Sequence, residues 1–216
     1  MKERKVQSNG KLKNTKKENL GIVDSARCAV LYSDFSAAYT SMIRFADKKS
    51  HDALTPTLNI VQNCFFHDPM PLKQTALTWA GCRMVVSHNY FHNTIVGASS
   101  LTTECIVEYN RFEGGSADVT DGGMIYTWGV AHRGNHYRYN LIHMFNATHN
   151  AIYNDGTSGG HYTYGNTISF LGSASNSNKG WYSSTGIGNV FYANTVILRN
   201  PYQVAEANSP GGAEDG

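Results

Sequence analysis

Asp121, His136, Arg138 and Asp155 are the residues of this chain whose types and grouping could carry out a reaction, and they are read as its catalytic candidates. Two carboxylates can act as acid and base about a glycosidic bond when they stand about 5 to 9.5 Å apart. Histidine and tyrosine can move a proton, and arginine clamps a carboxylate through two parallel hydrogen bonds. His, Arg and Tyr together therefore suit an acidic sugar, whose carboxylate must be neutralised before the neighbouring proton can leave. Arg133, Trp128, Tyr126, Tyr153 and His161 lie in the same stretch and are the substrate-binding candidates, the aromatics as stacking platforms for sugar rings. A plainer reading stands beside each. Asp121 precedes Gly122-Gly123 and Asp155 precedes Gly156-Thr157-Ser158, both ordinary places for a turn carboxylate. The His and Arg set also fits a solvated polar face.

These residues sit on a repeat. From Tyr126 to Tyr153 is 27 residues and from Asn140 to Asn166 is 26, two matched landmarks at nearly one offset. The phrase around them is a short apolar strand, an Asn, one residue and another apolar residue, with its Asn at 63, 89, 110, 140, 166 and 194. A strand of about five residues cannot bury its apolar face alone. Stacking equivalent strands at about 4.8 Å solves this and makes a continuous core. An Asn at each corner can adopt the left-handed backbone of a sharp bend, and stacked Asn side chains can bond one another as a ladder. The expected fold is thus all-β, a single-stranded parallel β-helix of about six coils. Register then predicts columns of Tyr126 over Tyr153 over Tyr182, and of Trp128 over Asp155. It aligns His136 with Tyr162 and Arg138 with Tyr164, with His136, Arg138 and Asn140 on one face and Tyr137, Tyr139 and Leu141 on the other. The same register separates Asp121 from Asp155 by seven strand positions, roughly 20 Å when extended. Only a bend at Gly122-Gly123 could close that gap.

Composition agrees. Charged residues are only 16 %, well below the usual quarter, and Gly, Asn, Ser, Thr and Tyr replace them, which disfavours a helical bundle. Net charge is +2, but residues 1 to 18 hold seven Lys or Arg against two Glu. Residues 1–20 read as a disordered basic tail, with no interleaved aromatics to suggest nucleic-acid binding. Residues 21–58 read as an irregular cap or short helix, with Ser36 to Ala46 fitting either a short helix or a degenerate first coil. The β-helix is expected over 59–200, and a flexible tail over 201–216. No apolar run reaches the length of a membrane span, and no apolar segment follows Met1-Lys2 as a signal peptide would require. The four cysteines have no CxxC pair, so buried free thiols are the simplest reading, with disulfides left open. No metal-ligand spacing is present. No cofactor is implied, calcium at Asp155 being the one ion the groove could admit.

The phrases Asp121-Gly122-Gly123-Met124-Ile125-Tyr126-Thr127, Arg133-Gly134-Asn135, Tyr139-Asn140-Leu141-Ile142-His143 and Ile152-Tyr153-Asn154-Asp155-Gly156-Thr157-Ser158-Gly159 carry a resemblance. The sequence resembles right-handed parallel β-helix proteins of the pectate-lyase-like superfamily, in particular bacterial polysaccharide lyases and glycoside hydrolases of that kind. The resemblance covers about 59 to 200. It implies a carbohydrate-active enzyme, hydrolase or lyase, with its groove around residues 121–161. The alternative is a non-catalytic glycan-binding β-helix or a fragment of a larger one. The implied partner is a polysaccharide or oligosaccharide, with no nucleic acid or membrane, bound by a monomer. Relatives of this kind are usually secreted and far longer. They often carry a Gly-Arg-Asp phrase where this chain has Trp128-Gly129-Val130-Ala131-His132-Arg133.

Overall fold

A computed structural model describes residues 5–7, 18–37, 41–46, 51–69, 75–115, 122–129, 131–145, 150–170, 179–198 and 204–207. Among these, every strand pairing is parallel and joins one coil to the next, so the chain is a right-handed parallel β-solenoid. Three sheets run along it, of eight, seven and nine strands. One coil shows the path: Gly123–Trp128 in the nine-stranded sheet, Asn135–Arg138 in the eight-stranded sheet, then Leu141–Met144 in the seven-stranded sheet. The next coil repeats it as Asn150–Asp155, His161–Tyr164 and Thr167–Phe170.

The core is built by laying like on like. Phe35, Phe66, Phe91 and Phe112 form one column inside the seven-stranded sheet, with ring centroids 5.1, 4.8 and 4.7 Å apart. Val30, Val61, Val86 and Val107 form another inside the eight-stranded sheet, continued by Tyr137. All of these side chains are buried. Each contributes about 1.5 to 3 kcal/mol of apolar burial.

The corner between the eight- and seven-stranded sheets is a single left-handed residue. Tyr32, Asn63, His88, Tyr109, Tyr139, Gly165 and Ala193 take it, with φ of 48°, 55°, 57°, 52°, 54°, 65° and 50°. The Asn expected at the bend is therefore the residue after it, turned inward. Asn89, Asn110, Asn140 and Asn166 each donate a backbone amide to Oδ1 of the next Asn in the stack, at 2.9, 3.0, 2.9 and 2.9 Å. Each also sends Nδ2 back to a carbonyl of the preceding coil, on Val61, Val86, Val107 and Tyr137. Five of the six expected Asn hold this ladder. Asn63 does not: it occupies the left-handed position, and Cys64 stands in the ladder, its amide bonded to Asn89 Oδ1 at 2.9 Å.

A second corner, between the nine- and eight-stranded sheets, uses the same device. Leu58, Gly134 and Gly188 are left-handed. The following Asn59, Asn135 and Asn189 receive the amides of Cys28, Cys105 and His161 at 2.9, 2.9 and 3.0 Å.

The stack also reaches beyond 59–200. Lys5–Gln7 pairs with Ala29–Leu31, Glu18–Val23 with Ser41–Ala46, and Trp181–Ser183 with Ala205–Ala207. Of the two readings of Ser36 to Ala46, the coil and not the short helix is found: Ser41–Ala46 is a strand, in which Met42, Ile43 and Phe45 are buried against the neighbouring coils. Pairing on both sides overrides a weak helical periodicity. All four cysteines are buried thiols, none of them in a disulfide.

Candidate functional site

The nine-stranded sheet assembles the first group of candidates in the expected register. Tyr126 pairs with Tyr153, Thr127 with Asn154, Trp128 with Asp155, and Tyr153 with Tyr182. Strand alternation buries Ile125, Thr127, Ile152 and Asn154 and turns Tyr126, Trp128 and Asp155 outward, whereas Tyr153, on the same face, is covered by its neighbours and buried. The Asp155 carboxylate accepts three hydrogen bonds. The Tyr126 hydroxyl donates to Oδ2 at 2.6 Å, the Tyr153 hydroxyl to Oδ1 at 2.8 Å, and the Gly156 amide to Oδ1 at 2.6 Å. Trp128 is 58 % exposed beside it. The Trp128 ring edge lies over Gly156, where a Cβ would sit 3.5 Å from Cδ1 and Nε1, and Gly156 is left-handed at φ 59°.

His136 and Arg138 lie on a different sheet. They pair with Ile106 and Glu108 on one side and with Tyr162 and Tyr164 on the other. Arg138 donates from Nε to Glu108 Oε2 at 2.7 Å and from Nη1 to the Tyr164 hydroxyl at 2.9 Å. The Tyr164 hydroxyl and the Glu108 carboxylate hold the guanidinium above its ordinary value. Its charge is therefore matched inside the protein rather than held ready for an acidic ligand. His136 lies flat on Tyr162 at 5.2 Å, and burial together with Arg138 lowers its pKa. The expected division of faces holds for His136 and Arg138 and fails after them. Tyr137 is in the core, whereas Tyr139 is 45 % exposed at the left-handed corner and Asn140 is buried in the ladder.

His161 is a correction. It is fully buried, where no surface ligand can touch it. Its Nε2 is 2.7 Å from Ser158 Oγ and its Nδ1 is 3.2 Å from the Tyr137 hydroxyl. Burial, reinforced by His132, pushes its pKa well below the ordinary value. His132 is likewise interior, 2.5 Å from Thr102 Oγ1, and burial lowers its pKa to about 4. The pair resembles a Ser–His dyad in spacing only, because Ser158 is also fully buried. Histidine takes the place of the corner Asn here: His161 follows left-handed Gly160 as Asn135 follows Gly134.

Arg133 is exposed and lines a notch of about 440 Å³ with Thr157, Gly160, Tyr162 and Thr185, at the corner between the two sheets. This notch lies between the Asp155 group and the His136 group. Asp121 lies outside the described residues. Glu206 is opposite Tyr182 and bonded to Lys179 at 3.2 Å. It stands two coils and two strand positions from Asp155, about 12 Å at ordinary strand spacings, beyond the reach of a glycosidase pair. Among the described residues no three His, Cys, Asp or Glu side chains converge as metal ligands.

The partner of Arg138 was legible and was missed. Glu108, Arg138, Tyr164 and Tyr192 each stand two residues before a ladder Asn, so aligning on the Asn places them in one column. The same alignment finds the aromatic residues immediately before Asn89, Asn110 and Asn140. Comparison of the chain with family models, curated proteins and solved structures finds no match.

Proposed function

We propose that this β-solenoid is carbohydrate-active, and that it engages a glycan laid across its nine-stranded sheet at Trp128 and Asp155. The observation that carries the reading is the Asp155 carboxylate, held by two tyrosine hydroxyls and an amide beside a half-exposed tryptophan. An ordered carboxylate can accept sugar hydroxyls, and an exposed indole offers an apolar surface to a pyranose ring. Arg133, in the adjoining notch, is the cation available to an acidic substituent. The sequence resemblance to pectate-lyase-like β-helices points the same way.

Recognition without turnover is the form the geometry supports best. Arg138 is matched by Glu108, and the described carboxylate nearest along the sheet, Glu206, is too distant to pair with Asp155. A catalytic reading, as hydrolase or lyase, is favoured by one feature. Asp155 is in contact with two phenols that could pass it a proton. Incubation with a broad polysaccharide panel separates the readings. An unsaturated product absorbing in the ultraviolet marks a lyase, and new reducing ends without that absorbance mark a hydrolase. Binding that is weakened about tenfold or more by Trp128→Ala or Asp155→Ala, with no product, supports recognition alone. Equal binding by the parent and both variants removes this face from the reading.

A further inference from the structure

The corner between the eight- and seven-stranded sheets carries a straight groove that the Asp155 site does not use. Its volume is about 760 Å³. The reason for its shape is arithmetic along the chain. At each corner the left-handed residue, the ladder residue and the first residue of the next strand follow one another, as in His88-Asn89-Tyr90 and Tyr109-Asn110-Arg111. Stacking makes three parallel rows. The ladder residues are the floor. Tyr32, Asn63, His88 and Tyr109 rise on one wall, and Asp34, Phe65, Tyr90 and Arg111 on the other. From Tyr32 to Tyr109 is three coil steps, about 14 Å at 4.8 Å each, and the walls are two residues apart. The groove therefore admits one narrow, extended chain running along the solenoid axis.

Its chemistry narrows the occupant further. The backbone amides at the groove are already used. Those of Tyr32, Asn63 and His88 donate to Gln62, Ser87 and Glu108, those of Cys64 and Asn89 donate into the ladder, and those of Phe65 and Tyr90 donate to Ser33 and Cys64. An extended peptide would lose its own backbone hydrogen bonds there and gain few. The charged side chains are engaged too: the Asp34 carboxylate is 2.6 Å from His67 Nε2, and Arg111 Nε donates to Glu113 at 2.9 Å. What remains is aromatic. His88, Tyr109 and Tyr139 stack at 5.2 and 5.3 Å, and Phe65 and Tyr90 at 5.0 Å. Rings covered by one another offer edges rather than faces, and within each stack the edges repeat at close to the length of one pyranose unit, while the Tyr90 hydroxyl is already given to Glu113.

We infer that this groove binds a neutral linear oligosaccharide of about three units along the axis, as a second site separate from the Asp155 face. The ligand class rests on the carbohydrate reading above; the location does not. The test uses the full chain with four neutral tetrasaccharides, of β-1,4-linked glucose, mannose or xylose and of α-1,4-linked glucose, followed by calorimetry and the His88 ring signals in NMR. At least one is expected to bind and to shift the His88 signals. Tyr109→Asn, which suits the left-handed backbone, and Phe65→Ala on the opposite wall are each expected to weaken binding by about tenfold, while Trp128→Ala leaves this site unchanged. If binding is lost only in Trp128→Ala and the His88 signals stay fixed, the groove is not a site and the Asp155 reading stands. If none of the four binds, the inference fails. If no polysaccharide binds either, both fail.

Discussion

At the scale of single residues, the interior histidines give the sharpest consequence. His132 and His161 are buried with pKa values depressed to about 4 and well below normal, chiefly by loss of solvent. Each is neutral in the folded chain and takes a proton at about pH 6.5 when unfolded. Above that pH neither state is protonated and the full stability is present. As pH falls from about 6.5 towards 4 the unfolded chain binds protons that the folded chain refuses, so stability falls by a few kcal/mol. Urea unfolding at pH 7.5, 6 and 5 should show this decline, with two imidazole NMR signals that do not titrate between pH 7 and 5. Two freely titrating signals would show that the rings are not held in the core. Gly156 is the second residue with a defined consequence. Its φ of 59° favours glycine, and a Cβ there would meet the Trp128 ring at 3.5 Å, an ordinary contact distance. Gly156→Ala should cost about 1–2 kcal/mol in stability from the backbone alone, read as a lower urea midpoint, and should leave the Trp128 fluorescence maximum in place.

At the scale of the element, the corner decides which residues face where. Strand alternation alone would keep Arg138 and Asn140 on one face. One left-handed residue, Tyr139, rotates the chain so that Asn140 enters the ladder while Tyr139 stays in solvent. The Asn repeat was legible because Asn89, Asn110, Asn140, Asn166 and Asn194 put the same side chain at successive steps of the ladder. Its exact corner position was not, because the bend can be made by any residue whose neighbours secure it. Asn110 is the best test. Asn110→Ala removes the acceptor for both the amide and Nδ2 of Asn89, and the donor to Val86. Each buried group left without a partner costs about 1–3 kcal/mol. A fall in the urea midpoint without change in the slope would show that the ladder holds the coils together. An unchanged midpoint would assign that role to the strands alone.

At the scale of the molecule, the solenoid is a one-dimensional stack in which each coil contacts its neighbours. Core substitutions should therefore be costly where coils cover both sides and cheap near an end. Phe91 lies between Phe66 and Phe112 and is fully buried, whereas Val196, the last member of the same column after Phe112, Ile142 and Ile168, is only partly buried. Phe91→Ala should lose about 3–5 kcal/mol and Val196→Ala under about 1 kcal/mol, measured by denaturant unfolding. Similar losses at both positions would mean that the stack is not graded in this way. The sequence by itself determined the parallel solenoid, the register of its best repeat and the Tyr126, Tyr153 and Asp155 grouping, because stacking at one spacing forces equivalent residues into contact. Only the tertiary structure decided that His161 belongs to the core, that Arg138 is matched by Glu108, and that aromatic corner residues wall a groove away from Asp155. Those outcomes depend on how each corner rotates the chain and on which side of the wall a residue then meets water, and a linear repeat does not encode either one locally.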